Sequence, residues 1–179
     1  MDPVAIIAHY YTPDTPLYNI LVTHSRAVAD RALEIVSRHP EWSVDREFVE
    51  QAALLHDIGI FLTDAPEIHC TGKQQYIEHG YLGANLLRAE GLLAHALVCE
   101  RHTGAGISLQ HIIDHNLPLP RRDMLPVSLE EQIICFADKF HSKTHLHTPL
   151  TLPVAREKIA RFGTASLERF DCWIEKFDR

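Results

Sequence analysis

Six residues of two kinds carry the chemistry that this sequence can be read for: His24, His56, Asp57, His79, His102 and Asp138. Imidazole is the commonest metal ligand among side chains. A carboxylate taken out of water is tolerated only when it is paired or binds a cation. Taken singly, each of these residues reads as a satisfied core histidine or a helix-capping aspartate. Taken together they are six, they fall at or beside the inward faces of five separate helices, and hydrogen bonds alone can hardly satisfy them. A ligand set of nitrogen and carboxylate without thiolate suits Mn, Fe, Zn, Co or Ni rather than a cysteine-type structural zinc. Six ligands exceed what one catalytic cation needs while keeping positions open, and they suit two cations that share one carboxylate. Facing helices of a bundle are a common way to build such a site.

The elements that must position these residues follow from apolar periodicity and from cap residues. Residues 3–10 form a short helix. Thr15 followed by Pro16 starts a long one, with Thr as N-cap and Pro at the first helical position, which runs to about Arg38. Its inward stripe is Leu17, Leu21, His24, Val28, Ala32 and Ile35, so His24 interrupts an apolar face. Asp45 caps the next helix, whose inward face Val49, Ala52, Ala53 and His56 has the i, i+3, i+4, i+7 spacing; Asp57 follows about 100° further round. Residues 63–73 are polar and irregular. A third helix spans Lys73 or Gln74 to Glu90 and carries His79. Its glycines, Gly80 and Gly83, cost helix stability and so mark close approach of another backbone or of a ligand. A fourth helix, Leu92 to His102, ends at its histidine, and Ser108 to His115 makes a helical turn. Ser128 and Glu131 have the spacing of a capping box and open a helix that carries Ile134, Cys135 and Asp138. Two last helices, about 153–162 and 165–177, are separated by Gly163 and read as packing elements without chemistry. No convincing period-2 strand and no internal repeat appear. The class is all-α, one domain over 1–179 with its core at about 17–142.

Composition narrows the function. The chain has 179 residues, 46% of them hydrophobic, enough for a real core. A net charge of −7, with no basic cluster longer than Arg121-Arg122, argues against binding long nucleic acid. No apolar run approaches the length of a membrane span and no signal peptide is seen, so no membrane partner is expected. Cys70, Cys99, Cys135 and Cys172 are widely spaced and read as reduced thiols of a cytoplasmic protein. The unusual number is 13 histidines against 17 Lys plus Arg. His141, His145 and His147 form a tight group, but Thr148-Pro149 breaks any helix there; it reads as no separate metal site, with His141 near the mouth of the main one. His95, His111 and His115 read as surface or supporting residues, and His9, His39 and His69 as structural.

The order His24, His56-Asp57, Asp138 resembles the HD superfamily of metal-dependent phosphohydrolases, and His56-Asp57-Ile58-Gly59 looks like the HDIG variant of its signature. The resemblance covers roughly residues 17–142. Glu78-His79-Gly80-Tyr81-Leu82-Gly83-Ala84 and Arg101-His102-Thr103-Gly104 are similar to bacterial HD-type diadenosine tetraphosphate hydrolases. The stretch from Arg101 to Ile107 and on to Leu129-Glu130-Glu131 looks closer still to uncharacterised HDIG proteins of bacteria and archaea. Two departures stand out: Ile60 and Phe61 follow the HDIG run where many such sequences have lysine, and the His102 to Asp138 interval is long and proline-rich. The resemblance therefore extends to the metal site and not to a particular substrate. It implies a first cation held by His24, His56, Asp57 and Asp138, and a second held by Asp57, His79 and His102. The cations implied are Fe, Mn, Co or Ni, with Zn or Mg as further choices. The substrate implied is a small phosphorylated, nucleotide-like metabolite, with Asp57 central to catalysis and Arg101 and Lys139 holding its phosphate; Arg121 and Arg122 are further candidates. Two other readings share these ligands, a mixed-valent diiron oxygenase and a metal-binding regulatory domain without turnover.

Overall fold

The computed structural model describes residues 1–178. Among them the chain forms nine α-helices: α1 (Pro3–Tyr10), α2 (Pro16–Arg38), α3 (Arg46–Leu55), α4 (His79–Ala89), α5 (Leu93–Arg101), α6 (Leu109–Asp114), α7 (Leu129–Asp138), α8 (Leu152–Ala160) and α9 (Thr164–Phe177). The all-α class expected from the sequence holds. One local expectation does not. Within the supposedly irregular 63–73 segment, β1 (Asp64–Ala65) pairs antiparallel with β2 (Cys70–Thr71) in a small hairpin. No helix is long and apolar enough to cross a membrane among the described residues.

Helix starts follow the cap chemistry. Thr15 Oγ1 accepts from the Tyr18 amide and Asp45 from the Phe48 amide. The box at α7 is half formed. Ser128 Oγ accepts from the Glu131 amide, but the Glu131 carboxylate accepts from the Val127 amide and from Arg101 instead of closing on Ser128. Two boundaries differ from the periodic reading. α3 stops at Leu55, so His56 is its C-cap and Asp57 sits in the turn beyond, where Ile58 N bonds Leu55 O and Ile60 N bonds Asp57 O. The next helix starts late. Tyr76–Glu78 is a 3₁₀ turn and His79 is the first residue of α4.

Glycines explain how that turn reaches α4. A Cβ on Gly59 would lie 2.3 Å from the His79 carbonyl oxygen and 2.4 Å from the Gly83 nitrogen. One on Gly80 would lie 2.6 Å from the Cys99 carbonyl oxygen, and one on Gly83 2.6 Å from Cys99 Sγ. The His56–Gly59 turn, α4 and α5 therefore stack at backbone contact, the use expected for the two glycines of α4.

Two apolar cores result. One joins Val28, Ala32 and Ile35 of α2 to Ile133, Phe136 and Phe170. The other gathers Ile7, Leu21, Leu55, Ile58, Leu87 and Cys99. The stripe of α2 crosses from one to the other between Leu21 and Val28, and His24 lies at the crossing. Gly59→Ala is expected to cost at least about 1–3 kcal/mol, because the clash is with backbone that cannot rotate away. Gly91→Ala, whose Cβ meets nothing within 4 Å but whose φ is +77°, should cost about 1–2 kcal/mol, from backbone strain without a clash. Chemical denaturation of the two variants measures the difference.

Candidate metal centre

The layer between the two cores is polar. His24, His56, Asp57, His79, His102 and Asp138 are all buried, with Asp57 and His56 fully so. The six side chains predicted to meet do meet. His24, His56, Asp57 and Asp138 offer atoms within 4.8 Å of one another, and so do Asp57, His79 and His102.

The geometry divides around Asp57. Its Oδ2 lies 3.1 Å from His24 Nε2 and 3.2 Å from His56 Nε2. Its Oδ1 lies 3.3 Å from both His79 Nε2 and His102 Nε2. Asp138 Oδ1 joins the first group, 3.0 Å from His24 Nε2 and 3.4 Å from His56 Nε2.

Backbone carbonyls fix three of the rings. Nδ1 of His56 lies 2.6 Å from Ala53 O, Nδ1 of His79 2.6 Å from Tyr76 O, and Nδ1 of His102 2.7 Å from Cys99 O. Each ring thus bonds the carbonyl three residues earlier, which places its proton on Nδ1 and turns the Nε2 lone pair inward. The sequence positions of His56 and His102, just after α3 and α5, and of His79 after its 3₁₀ turn make this possible.

Cations fit this donor set. Nε2 of His79 and His102 face each other at 2.9 Å with both Nδ1 atoms already protonated, an approach of two lone pairs that needs a positive charge beside it. His24 Nε2, His56 Nε2 and both oxygens of Asp57 are buried without an aligned hydrogen bond, despite their close contacts. Ligands about 2.1 Å from a common ion at right angles to one another are about 3.0 Å apart, close to the separations found. Burial and the neighbouring His102 hold His79 down to about 3, and burial also lowers His102, so both are neutral as ligands must be. Burial also works against a charge on His56, but Asp57 and Asp138 outweigh it and raise the ring to about 9. The same two carboxylates would attract a metal cation.

The cationic side chains beside the cluster are partly other than those expected to hold an anion. Lys139 lines the cavity above the cluster, its Nζ bonded to Asp138 Oδ2 at 2.6 Å and to His102 O at 2.8 Å. Arg101 does not reach the cavity. Its guanidinium pairs with Glu131 at 2.9 and 3.1 Å and anchors α5 to α7. Arg122 pairs with Glu100, which also bonds Arg88, and Arg121 is exposed and does not line the cavity. The residue that sequence reasoning missed is Lys143, whose Nζ is 2.6 Å from Asp57 Oδ2. Burial opposes charge on Lys139 and Lys143, yet Asp138 and Asp57 respectively hold both ammoniums above the ordinary lysine range. Lys143 comes five residues after Asp138, beyond the end of α7, where no helical spacing ties it to the site. Its only sequence signal is proximity to the last ligand. Tyr76, three residues before His79, stacks on that ring at 4.6 Å and also lines the cavity. His141 lines the cavity mouth as expected, while His145 and His147 are exposed and join neither cluster.

An all-helical bundle with such a His/Asp layer between its cores defines a metal-site protein built on facing helices. The model of the HD domain family matches residues 21–143, and the chain belongs to that family. It is 40% identical over 121 residues to an uncharacterised protein of Methanocaldococcus jannaschii, covering 66% of this chain and 64% of that one. It is 31% identical over 125 residues to the tRNA (cytidine(56)-2'-O)-methyltransferase of Picrophilus torridus, and 32% identical over 119 residues to that of Thermoplasma volcanium. Those matches cover 69% and 66% of this chain but only 32% and 30% of the methyltransferases. The chain thus spans less than two thirds of the length of each of these relatives. No solved structure matches it.

Arg101→Ala leaves the buried Glu131 carboxylate without its guanidinium. It is expected to cost about 1–3 kcal/mol of stability and to leave the metal content of the protein unaltered. Thermal unfolding and elemental analysis of the same preparation check both halves.

Proposed function

We propose that this chain is a metal-dependent phosphohydrolase that cleaves a phosphate ester or anhydride in a small, nucleotide-like metabolite at two divalent cations. The observation that carries the reading is the division of Asp57, with one oxygen toward His24 and His56 and the other toward His79 and His102. A carboxylate between two imidazole pairs is suited to bridging two ions. On this reading His24, His56, Asp57 and Asp138 hold the first cation, and Asp57, His79 and His102 the second. Fe, Mn, Co and Ni suit the donor set, as do Zn and Mg less specifically. Such a pair supplies an acidified water and neutralises charge on the phosphate oxygens.

The protein groups have separate tasks. The carbonyls of Ala53, Tyr76 and Cys99 hold three rings in one tautomer, so the ligands need not reorganise. The apolar cores on either side keep water away from the underside of the layer. Lys139 uses two N–H groups on Asp138 and the His102 carbonyl and has a third to offer. Lys143, within reach of Asp57 and bordering the same cavity, takes the phosphate-holding role that the sequence suggested for Arg101. The cavity is about 210 Å³, smaller than pockets for drug-sized ligands at roughly 300–1,000 Å³, which supports a small substrate. The net charge of −7 works against long nucleic acid. The two methyltransferase relatives are named for a cytidine of tRNA, and that substrate is not carried over to this chain. Methyl transfer is not carried over, since the chain spans about a third of those proteins.

Chelation is expected to abolish hydrolysis of a phosphorylated-metabolite panel, and Mn, Fe or Co to restore it. Asp57→Ala should lose both cations and nearly all activity, whereas His79→Ala or His102→Ala should lose mainly one. Equal loss of both ions in all three variants contradicts the shared-carboxylate assignment. A metal-loaded protein that cleaves no phosphorylated compound but consumes oxygen with an organic substrate is a diiron oxygenase instead.

A further inference from the structure

The cavity over the cluster has a wall that the family does not explain. The family match ends at residue 143, yet Leu150, Ala155, Lys158, Ile159 and Phe162 border the same cavity as His79, His102 and Asp138. The C-terminal helices, which the sequence suggested were packing elements only, therefore take part in the site through α8.

This wall is anchored. The Leu150 amide bonds Phe140 O at 2.8 Å, just beyond α7. Ala155 and Ile159 are buried in the core that contains Phe136. Arg156 ties α8 to α9 through both oxygens of Asp171, at 2.7 and 2.8 Å. Phe162 lies over Gly104, two residues after His102, so closely that a Cβ on Gly104 would be 2.9 Å from the ring. The apolar side of the cavity is thus held at a fixed distance from the ligands.

Lys158 is the exception on this face. The other two lysines of the cavity are already paired within the cluster, Lys139 with Asp138 and Lys143 with Asp57, and on the proposed function they face the scissile phosphate. Lys158 is exposed at the rim and makes no side-chain hydrogen bond or ion pair among the described residues. An ammonium in the last turn of a helix also complements its dipole, but that role does not require a place at the cavity edge beside buried Ile159.

We infer that α8 and the residues flanking it select the substrate, with Leu150, Ile159 and Phe162 receiving an apolar or aromatic leaving portion and Lys158 binding a second anionic group on it. This rests on the phosphohydrolase reading for the position of the scissile phosphate. The substrate class is then a phosphate ester whose leaving portion has a flat or apolar body and carries its own negative charge.

Two matched probes test this on the metal-loaded protein: phenyl phosphate, and 4-carboxyphenyl phosphate, which adds one anion to the same body. The wild type should favour the carboxylated ester in kcat/KM. Lys158→Ala should reduce that preference by roughly 1.5-fold to fivefold, the range for an ion pair still partly in water. Lys158→Arg should retain it and Lys158→Glu should reverse it, with metal content the same in all four proteins. Equal use of the two esters by the wild type, or a preference that survives Lys158→Glu, overturns the inference and leaves the hydrolase reading standing. If neither ester is cleaved, the hydrolase reading is what these probes fail to support. Calorimetric binding of the same two compounds then decides on Lys158: tighter binding of the carboxylated one that Lys158→Glu abolishes supports the inference, and binding indifferent to that change overturns it.

Discussion

The constraint on which the rest depends is a carboxylate with no exposure to water. Asp57 is fully buried, 2.6 Å from Lys143 and within 3.3 Å of four imidazoles. Isolated in a protein interior such a charge would cost far more than a domain's whole stability margin. It is tolerable only where several partners arrive together, and that sets the architecture. α2 must bring His24 across the boundary between two cores, α7 must end at Asp138, and α4 and α5 must each present a ring at one end. The glycines at 59, 80 and 83 are what let the turn after α3, α4 and α5 approach closely enough.

The imidazoles illustrate how local structure makes a rigid site. His56, His79 and His102 each bond a carbonyl three residues back. Those carbonyls lie in the closing turn of α3, the 3₁₀ turn before α4 and the closing turn of α5, where the helical ladder leaves acceptors free. A helix end therefore supplies both an acceptor for Nδ1–H and a direction for Nε2. Had the periodic reading been right and His56 sat inside a continuing helix, the Ala53 carbonyl would have been sought by the amide of Asp57.

That difference shows what the sequence could and could not convey. The polar interruption of the α2 stripe at His24, the caps at Thr15, Asp45 and Ser128, and the glycine pair in α4 are local patterns, and each has a local physical meaning that the fold keeps. The family resemblance added the order of the ligands. What escaped was set by chain paths without periodicity: the turn after Leu55, the hairpin at 64–71, and the loop after Asp138 that carries Lys143 back over Asp57. Arg101 was misplaced because being next to a ligand on a helix points a side chain about 100° away from it, here toward Glu131 and not toward the cavity.

The same distinction separates the chemistry of the site from its selectivity. The ligand layer lies between two cores and is bound to backbone groups at almost every ring, so substitution there disturbs packing as well as charge. The α8 wall is fixed through Ala155, Ile159 and the Arg156–Asp171 pair, but two of its cavity-lining residues, Lys158 and Phe162, lie outside both cores. Lys158 and Phe162 are exposed or half-buried, and a change in them alters the shape and charge of the cavity without unpairing a buried ligand. A layer so constrained can be retained while the wall changes. The HD domain match takes in the whole buried His/Asp cluster, whereas α8 lies beyond residue 143, outside that match.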